Sequence, residues 1–225
     1  MSFTVTATEG GSTTNGISLQ VKVVTGQAAS PTGINQAATN ATPNLSTGAG
    51  VTTGSWVYCA LIGLLTITAN GSTTFQNNHN GGGIQYVAAR SASTMTGGSA
   101  VTIGGTGGTG ISVCLLEILA GSGLAEDASS PAGVFASGAT TVSTAGFAPP
   151  NGSLLVAMVS SNGAGGVTTM ALSDTSGLGL TWTEQVKQDG AGNGYSGVWT
   201  ATVPAAAVAA PPLNVSQAAR RAAYY

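Results

Sequence analysis

Apolar residues along this chain gather in strand-length runs, separated by glycine, serine, threonine and proline. Residues 17–25 (ISLQVKVVT) alternate, with Gln20 and Lys22 on the polar face, which predicts a half-buried strand. Residues 55–65 predict a strongly apolar strand, and 65–69 lead into Asn70-Gly71, a hairpin signal. A polar stretch at 75–83 ends in three glycines, and further strands are predicted at 84–89, 100–104 and 111–119. Residues 26–50, with Pro31 and Pro43, read as turns. Residues 172–204 read as a turn, a strand carrying Trp182, a glycine-rich tip at 190–194 and a strand carrying Trp199. Residues 1–16 form a Thr/Gly-rich lead with a short strand at 3–7. Helical residue types occur at 204–210 and 217–223; prolines bracket the first, which is too short to stand alone and reads as a one-turn connector. The expected fold is all-β: an antiparallel, jelly-roll-like β-sandwich with almost no helix.

The second half repeats the order of the first. Ile17-Ser18-Leu19 matches Ile111-Ser112-Val113, and Gly54-Ser55-Trp56 matches Gly152-Ser153-Leu154. Thr74-Phe75 matches Thr181-Trp182, Ala88-Ala89 matches Thr200-Ala201, and Val101-Thr102-Ile103 matches Leu213-Asn214-Val215. The offset grows along the chain, which places insertions in loops, chiefly 163–180. The expected organisation is a lead (1–16), a pseudo-duplicated sandwich (17–215, units about 54–120 and 152–215) and a tail (216–225). The second unit lacks a closing strand, and 17–25 is the matching element. It is expected to close that unit, since an open sheet edge invites aggregation. On this matching Trp182 falls on Phe75 and Trp199 on Val87, as two copies of core positions would.

Charged residues make up 5% of the chain, against roughly 25% in ordinary soluble domains. The clustered 42% hydrophobic content argues against disorder. Five Lys and Arg with a net charge of -2 exclude a nucleic-acid track. A nearly uncharged surface repels its own copies weakly, which favours a subunit of a large assembly over a free enzyme. No run reaches the length of a membrane span, so no membrane insertion is expected. The N-terminus, MSFTVTATEGG, lacks the basic and apolar regions of a secretory signal.

Candidate chemistry is sparse. Cys59 and Cys114 lie in apolar strands and read as buried thiols, paired only if their strands are neighbours of the right geometry. His79, the single histidine, reads as a solvated turn residue in QNNHNGGG; alone it supports neither a metal site nor a triad. Asp174 opens SDTSGLG and is expected to cap its own backbone; with Glu126-Asp127 it supplies too few oxygens for calcium. The strings at 104–110 and 190–194 read as tight turns, because no Lys-Ser/Thr or helix follows them. The mainly apolar faces of Trp182 and Trp199 assign them to a core, and Glu117 is expected at the wet end of its strand. No catalytic residue, cofactor or metal is expected. The candidate contact residues are Asn162, Asp174, Asn193 and Tyr195 in loops, and Arg220, Arg221, Tyr224 and Tyr225 in an assembly tail.

In order, GSLLVAMVSSN, LSDTSGLGLTWTEQV and GYSGVWTATVP, together with ISVCLLEILAGSGLAEDASS, resemble a β-sandwich module common in actinobacterial phages. Its members carry NG-x-LLVA-x-V, DSAG-x-TWT, IWYA-x-V, a Thr/Val strand and EI-x-G. The resemblance covers roughly 54–215. The first copy departs from it with Phe75 in place of the usual Trp, and the glycine-rich segment is longer. The resemblance implies a non-enzymatic virion structural protein, a minor tail or tail-tip component, assembled in the host cytoplasm and exposed on the particle. Its partners would be other virion proteins and copies of itself. A capsid-decorating (minor capsid) subunit and a carbohydrate-binding adhesin module for a host-surface glycan are the alternatives. No catalytic residues come with the resemblance.

Overall fold

The apolar runs pair into antiparallel sheets because their backbone polar groups, buried with them, need partners. The structure, a computed structural model, describes residues 2–10, 13–39, 42–163, 169–190 and 194–205. In chain order the strands are β1 (Val5–Gly10), β2 (Thr13–Ala38), β3 (Asn44–Ser46), β4 (Trp56–Leu64), β5 (Thr68–Ala69), β6 (Thr73–Gly81), β7 (Ile84–Ser91) and β8 (Thr102–Thr106). They continue as β9 (Thr109–Glu126), β10 (Val134–Ala136), β11 (Thr141–Ser143), β12 (Leu154–Gly163), β13 (Thr169–Asp174), β14 (Thr183–Gly190) and β15 (Gly194–Thr202). No described residue is helical. Most of the connector expected at 204–210, and all of 217–223, lies outside the described residues.

One sheet runs β14-β15-β12-β2-β9-β4-β7-β6, with β10 also on β2. Two small sheets, β11-β1-β13 and β3-β8-β5, flank it. The large sheet repeats one pairing order in its two halves. Cys59 of β4 lies opposite Ala89 of β7 and Leu115 of β9. Ala157 of β12 lies opposite Trp199 of β15 and Val21 of β2. The outer pair β6-β7 slips register between Phe75 and Asn77, and β14-β15 slips between Glu184 and Val186. Likewise β8 lies between β3 and β5, and β1 between β11 and β13.

The strands β3–β9 therefore make one unit. The other combines β10–β15 with β1 and the first part of β2, so residues 17–24 pair with its central strand β12. Val5–Gly10, expected within a lead, are part of the sheets. Phe3, Val5 and Ala7 are buried, and β1 takes the place in its small sheet that β8 takes in the other. Residues 213–215, matched to that place by sequence, lie outside the described residues. The short strand expected at 3–7 is β1, which runs on to Gly10 with Val5, Ala7 and Glu9 turned inward. Register also moves both tryptophans. Trp199 stands at the place of Ala89, and Trp182 at that of Thr73. Each is two residues from its sequence match, which leaves the face unchanged.

β4 and β12 are buried on both faces, so their apolar runs do not alternate. Tyr58 and Ala60 of β4 meet Leu154, Val156 and Met158 of β12 in a central core between the units. On the other side of β4, Val57, Cys59 and Leu61 pack with Ile67 and Ile103. On the other side of β12, Leu155, Ala157 and Val159 pack with Phe3, Val5, Ala7 and Phe147. Each fully buried Val, Leu, Ile, Met or Phe among these contributes about 1.5–3 kcal/mol. Cys59 and Cys114 sit on neighbouring strands but face different cores, and both are free. Burial pushes the Cys114 thiol up to about 12.

β2 and β9 pass from one unit to the other at Gly26 and Gly123, with φ of 73° and 89°. A Cβ at Gly26 would run into the Gly123 carbonyl. Gly26→Ala is expected to cost about 2–4 kcal/mol, from left-handed backbone plus a collision with main chain. Urea unfolding should show a lower midpoint at an unchanged m value.

Candidate binding cleft

The connection from β13 to β14 builds an open cleft. Asp174 ends β13, and its Oδ1 accepts hydrogen bonds from the Ser176 N–H (2.9 Å) and the Ser176 hydroxyl. The Ser176 Oγ in turn accepts from the Leu178 N–H at 3.0 Å. This is the backbone cap that a carboxylate at the head of SDTSGLG predicts. The second oxygen, Oδ2, accepts from the Trp182 indole N–H at 3.3 Å. Sequence spacing gave no sign of this bond, which spans the loop and fixes the ring. The cleft has a volume of about 520 Å³ and is walled by Leu172, Ser173, Asp174, Leu180, Thr181 and Trp182. Leu172, Leu180 and Trp182 are half-buried and also pack against the outer core of the second unit. Trp182 thus belongs to the core on one side and lines the cleft on another.

The other proposed contact residues behave differently. Tyr195 is 2% exposed. Its hydroxyl accepts from the Trp199 indole N–H (3.0 Å) and donates to Glu184 Oε1 (2.7 Å). Burial and that carboxylate push its pKa well up. Tyr195 is a core residue at the start of β15, not a loop contact. Asn162 is also buried, at the register shift between β12 and β2. Both strands run further than the flanking glycines imply, which draws these residues inside. Asn193, Arg220, Arg221, Tyr224 and Tyr225 lie outside the described residues.

Three further sequence expectations change. His79 is a strand residue in β6, half-buried and stacked on Phe135 with centroids 5.3 Å apart. Burial lowers its pKa. Glu117 is not at a wet end: it is 1% exposed and accepts from the N–H groups of Thr52 (2.6 Å) and Ile34 (3.2 Å) and from the Ser55 hydroxyl (2.7 Å). Glu126 is tied to Arg90 (2.9 Å), Lys22 (3.5 Å) and the Tyr58 hydroxyl (3.1 Å). Asp127, beside it, caps the Ser129 N–H at 2.8 Å, which lowers its pKa. Among the described residues no group of three or more His, Cys, Asp or Glu is placed to hold a metal ion.

Glu9 of β1 is buried, accepts from the Ser161 hydroxyl, and leaves its Oε1 without a partner. Burial holds its carboxyl above the ordinary 4.5. Its protonated form is therefore favoured by folding. That increment is fully present below pH 4.5 and is lost as pH rises through the folded pKa. Glu9→Gln removes the buried charge. Thermal unfolding should show the variant more stable than the parent at pH 7, with the gap closing as pH falls toward 4.5.

No protein-family model, curated protein or solved structure matches the chain. The fold defines its class: an all-β protein of layered antiparallel sheets.

Proposed function

We propose that this chain is a non-enzymatic structural subunit of a phage virion, a minor tail or tail-tip component. The ordered motifs in 54–215 and the placement of charge support this reading. The observation that carries it is that Lys187 and Asp189, both on β14, are the only exposed charged residues among those described. Glu9 and Glu117 are buried, and Lys22 and Arg90 are half-buried and share the carboxylate of Glu126. Most other exposed described residues are serine, threonine, glycine, alanine and amide side chains, with Leu64, Leu65 and Leu178 the exposed large apolar ones. Copies and neighbours then meet with little charge repulsion and little charged surface to desolvate.

Mass spectrometry and labelled-antibody electron microscopy of purified particles test the proposal. The expected result is this chain in the particles, with label on the tail. Label on the capsid surface would replace the tail assignment with capsid decoration. Absence of the chain from purified particles would overturn the structural reading altogether.

A further inference from the structure

We infer that the Asp174–Trp182 cleft is a binding site for a neutral saccharide. The two units themselves provide the first argument. In the first unit, Ala69 and Thr73 are joined through Asn70, Gly71 and Ser72 alone. The Asn70 carboxamide oxygen closes that turn by accepting from the Ser72 N–H (3.0 Å) and the Thr73 hydroxyl (2.7 Å). By register, Ala69 corresponds to Met170 and Thr73 to Trp182. The second unit places residues 171–181 between them. This connection is three residues long in one unit and eleven in the other, where the added residues build the cleft.

The walls define the ligand chemistry. An indole ring held at its N–H by Asp174 is a rigid, amphipathic platform, and Leu172 and Leu180 extend the apolar side. Ser173, Thr181 and the Asp174 carboxylate supply hydroxyl and acceptor groups on the same cleft. Gly177 and Gly179, at φ of 66° and 67°, keep the rim bare, since a Cβ at either would meet nothing. The volume of about 520 Å³ is in the range of small-molecule sites, roughly 300–1,000 Å³. A sugar ring presents an apolar C–H face and a rim of hydroxyls, which matches an aromatic wall beside hydroxyl and carboxylate partners. Among the described residues Asp174 is the only charged one on the cleft, so phosphorylated and uronic-acid sugars meet a like charge there. Both recognition groups are held in place before binding, which lowers the ordering loss on association.

The test uses the full chain, labelled with 15N, and its tryptophan indole N–H resonances; Trp182→Phe assigns the signal. The probes are neutral tetrasaccharides built on glucose, mannose, galactose and N-acetylglucosamine, with tetragalacturonate as the charged counterpart. At least one neutral probe should shift the Trp182 signal saturably at millimolar concentration, and tetragalacturonate should bind at least tenfold more weakly. Thr181→Arg fills the cleft from an exposed position and should weaken binding at least tenfold while leaving the melting temperature unchanged. No saturable shift with any neutral probe, undiminished binding in Thr181→Arg, or tighter binding of the acidic probe would each overturn the inference. None of these outcomes bears on whether the chain is part of a virion, which the particle experiments decide separately.

Discussion

Glu117→Ala is expected to lower unfolding stability by about 3–5 kcal/mol, more than any other single change considered. The carboxylate is solvated by two backbone N–H groups and a hydroxyl from two separate segments, around Ile34 and at Thr52–Ser55. Alanine takes the acceptor from the Thr52 and Ile34 N–H groups, while the Ser55 hydroxyl keeps the Thr52 carbonyl at 2.7 Å. Glu117→Gln separates charge from shape. Its amide nitrogen would point a donor at groups that are themselves donors, so it should recover only part of the loss, remaining about 1–2 kcal/mol below the parent. Urea titration of the three proteins checks this order. Parent-like stability in Glu117→Ala would mean that the two segments rearrange to reach water.

Glu126→Ala should cost about 3 kcal/mol. Glu126 holds Lys22 of β2, Arg90 of β7 and Tyr58 of β4 at one edge of the central core, and the Arg90 guanidinium lies 3.6 Å from the centre of the Trp56 ring. Removing the carboxylate strands two half-buried cations beside each other. The corresponding positions in the second unit show what replaces such a cluster. Val156 stands at the place of Tyr58, and Thr200 at that of Arg90. Because the group is mostly shielded from solvent, the loss should persist in 1 M salt, where an exposed pair would be screened. A deficit that vanishes in high salt would assign the cluster to the surface.

These two glutamates show where sequence reasoning stops. Glu117 reads as a charge inside a strand, and Glu126 as half of an acidic turn pair with Asp127. Glu117 was placed in water because its partners, Thr52 and Ile34, are remote in sequence and donate through backbone that any residue possesses. Tyr195 and Asn162 failed in the opposite sense. Polar residues beside glycine look like loop tips, but the strands reach Gly163 and Gly194 themselves, and Asn162 and Tyr195 are buried within them. The cleft was half legible. Asp174 and its turn follow from SDTSGLG, and the longer second-unit segment appeared as a growing offset between the copies. Pinning of Trp182 by the second carboxylate oxygen was not legible, because it depends on how the loop returns across the end of β13.

That the chain is all-β, where its central strands lie and how little charge it carries can be read from its residues alone. Those properties follow from composition and local apolar patterning, and they survive any particular pairing of strands. The pairing of β1 with β11 and β13, the separate cores faced by Cys59 and Cys114, and the burial of Glu9 and Glu117 come from the folded arrangement. Those outcomes depend on register between distant strands, where a shift of one residue exchanges the inner and outer faces. The same register, through an insertion that one unit carries and the other lacks, is what opens a cleft beside Trp182.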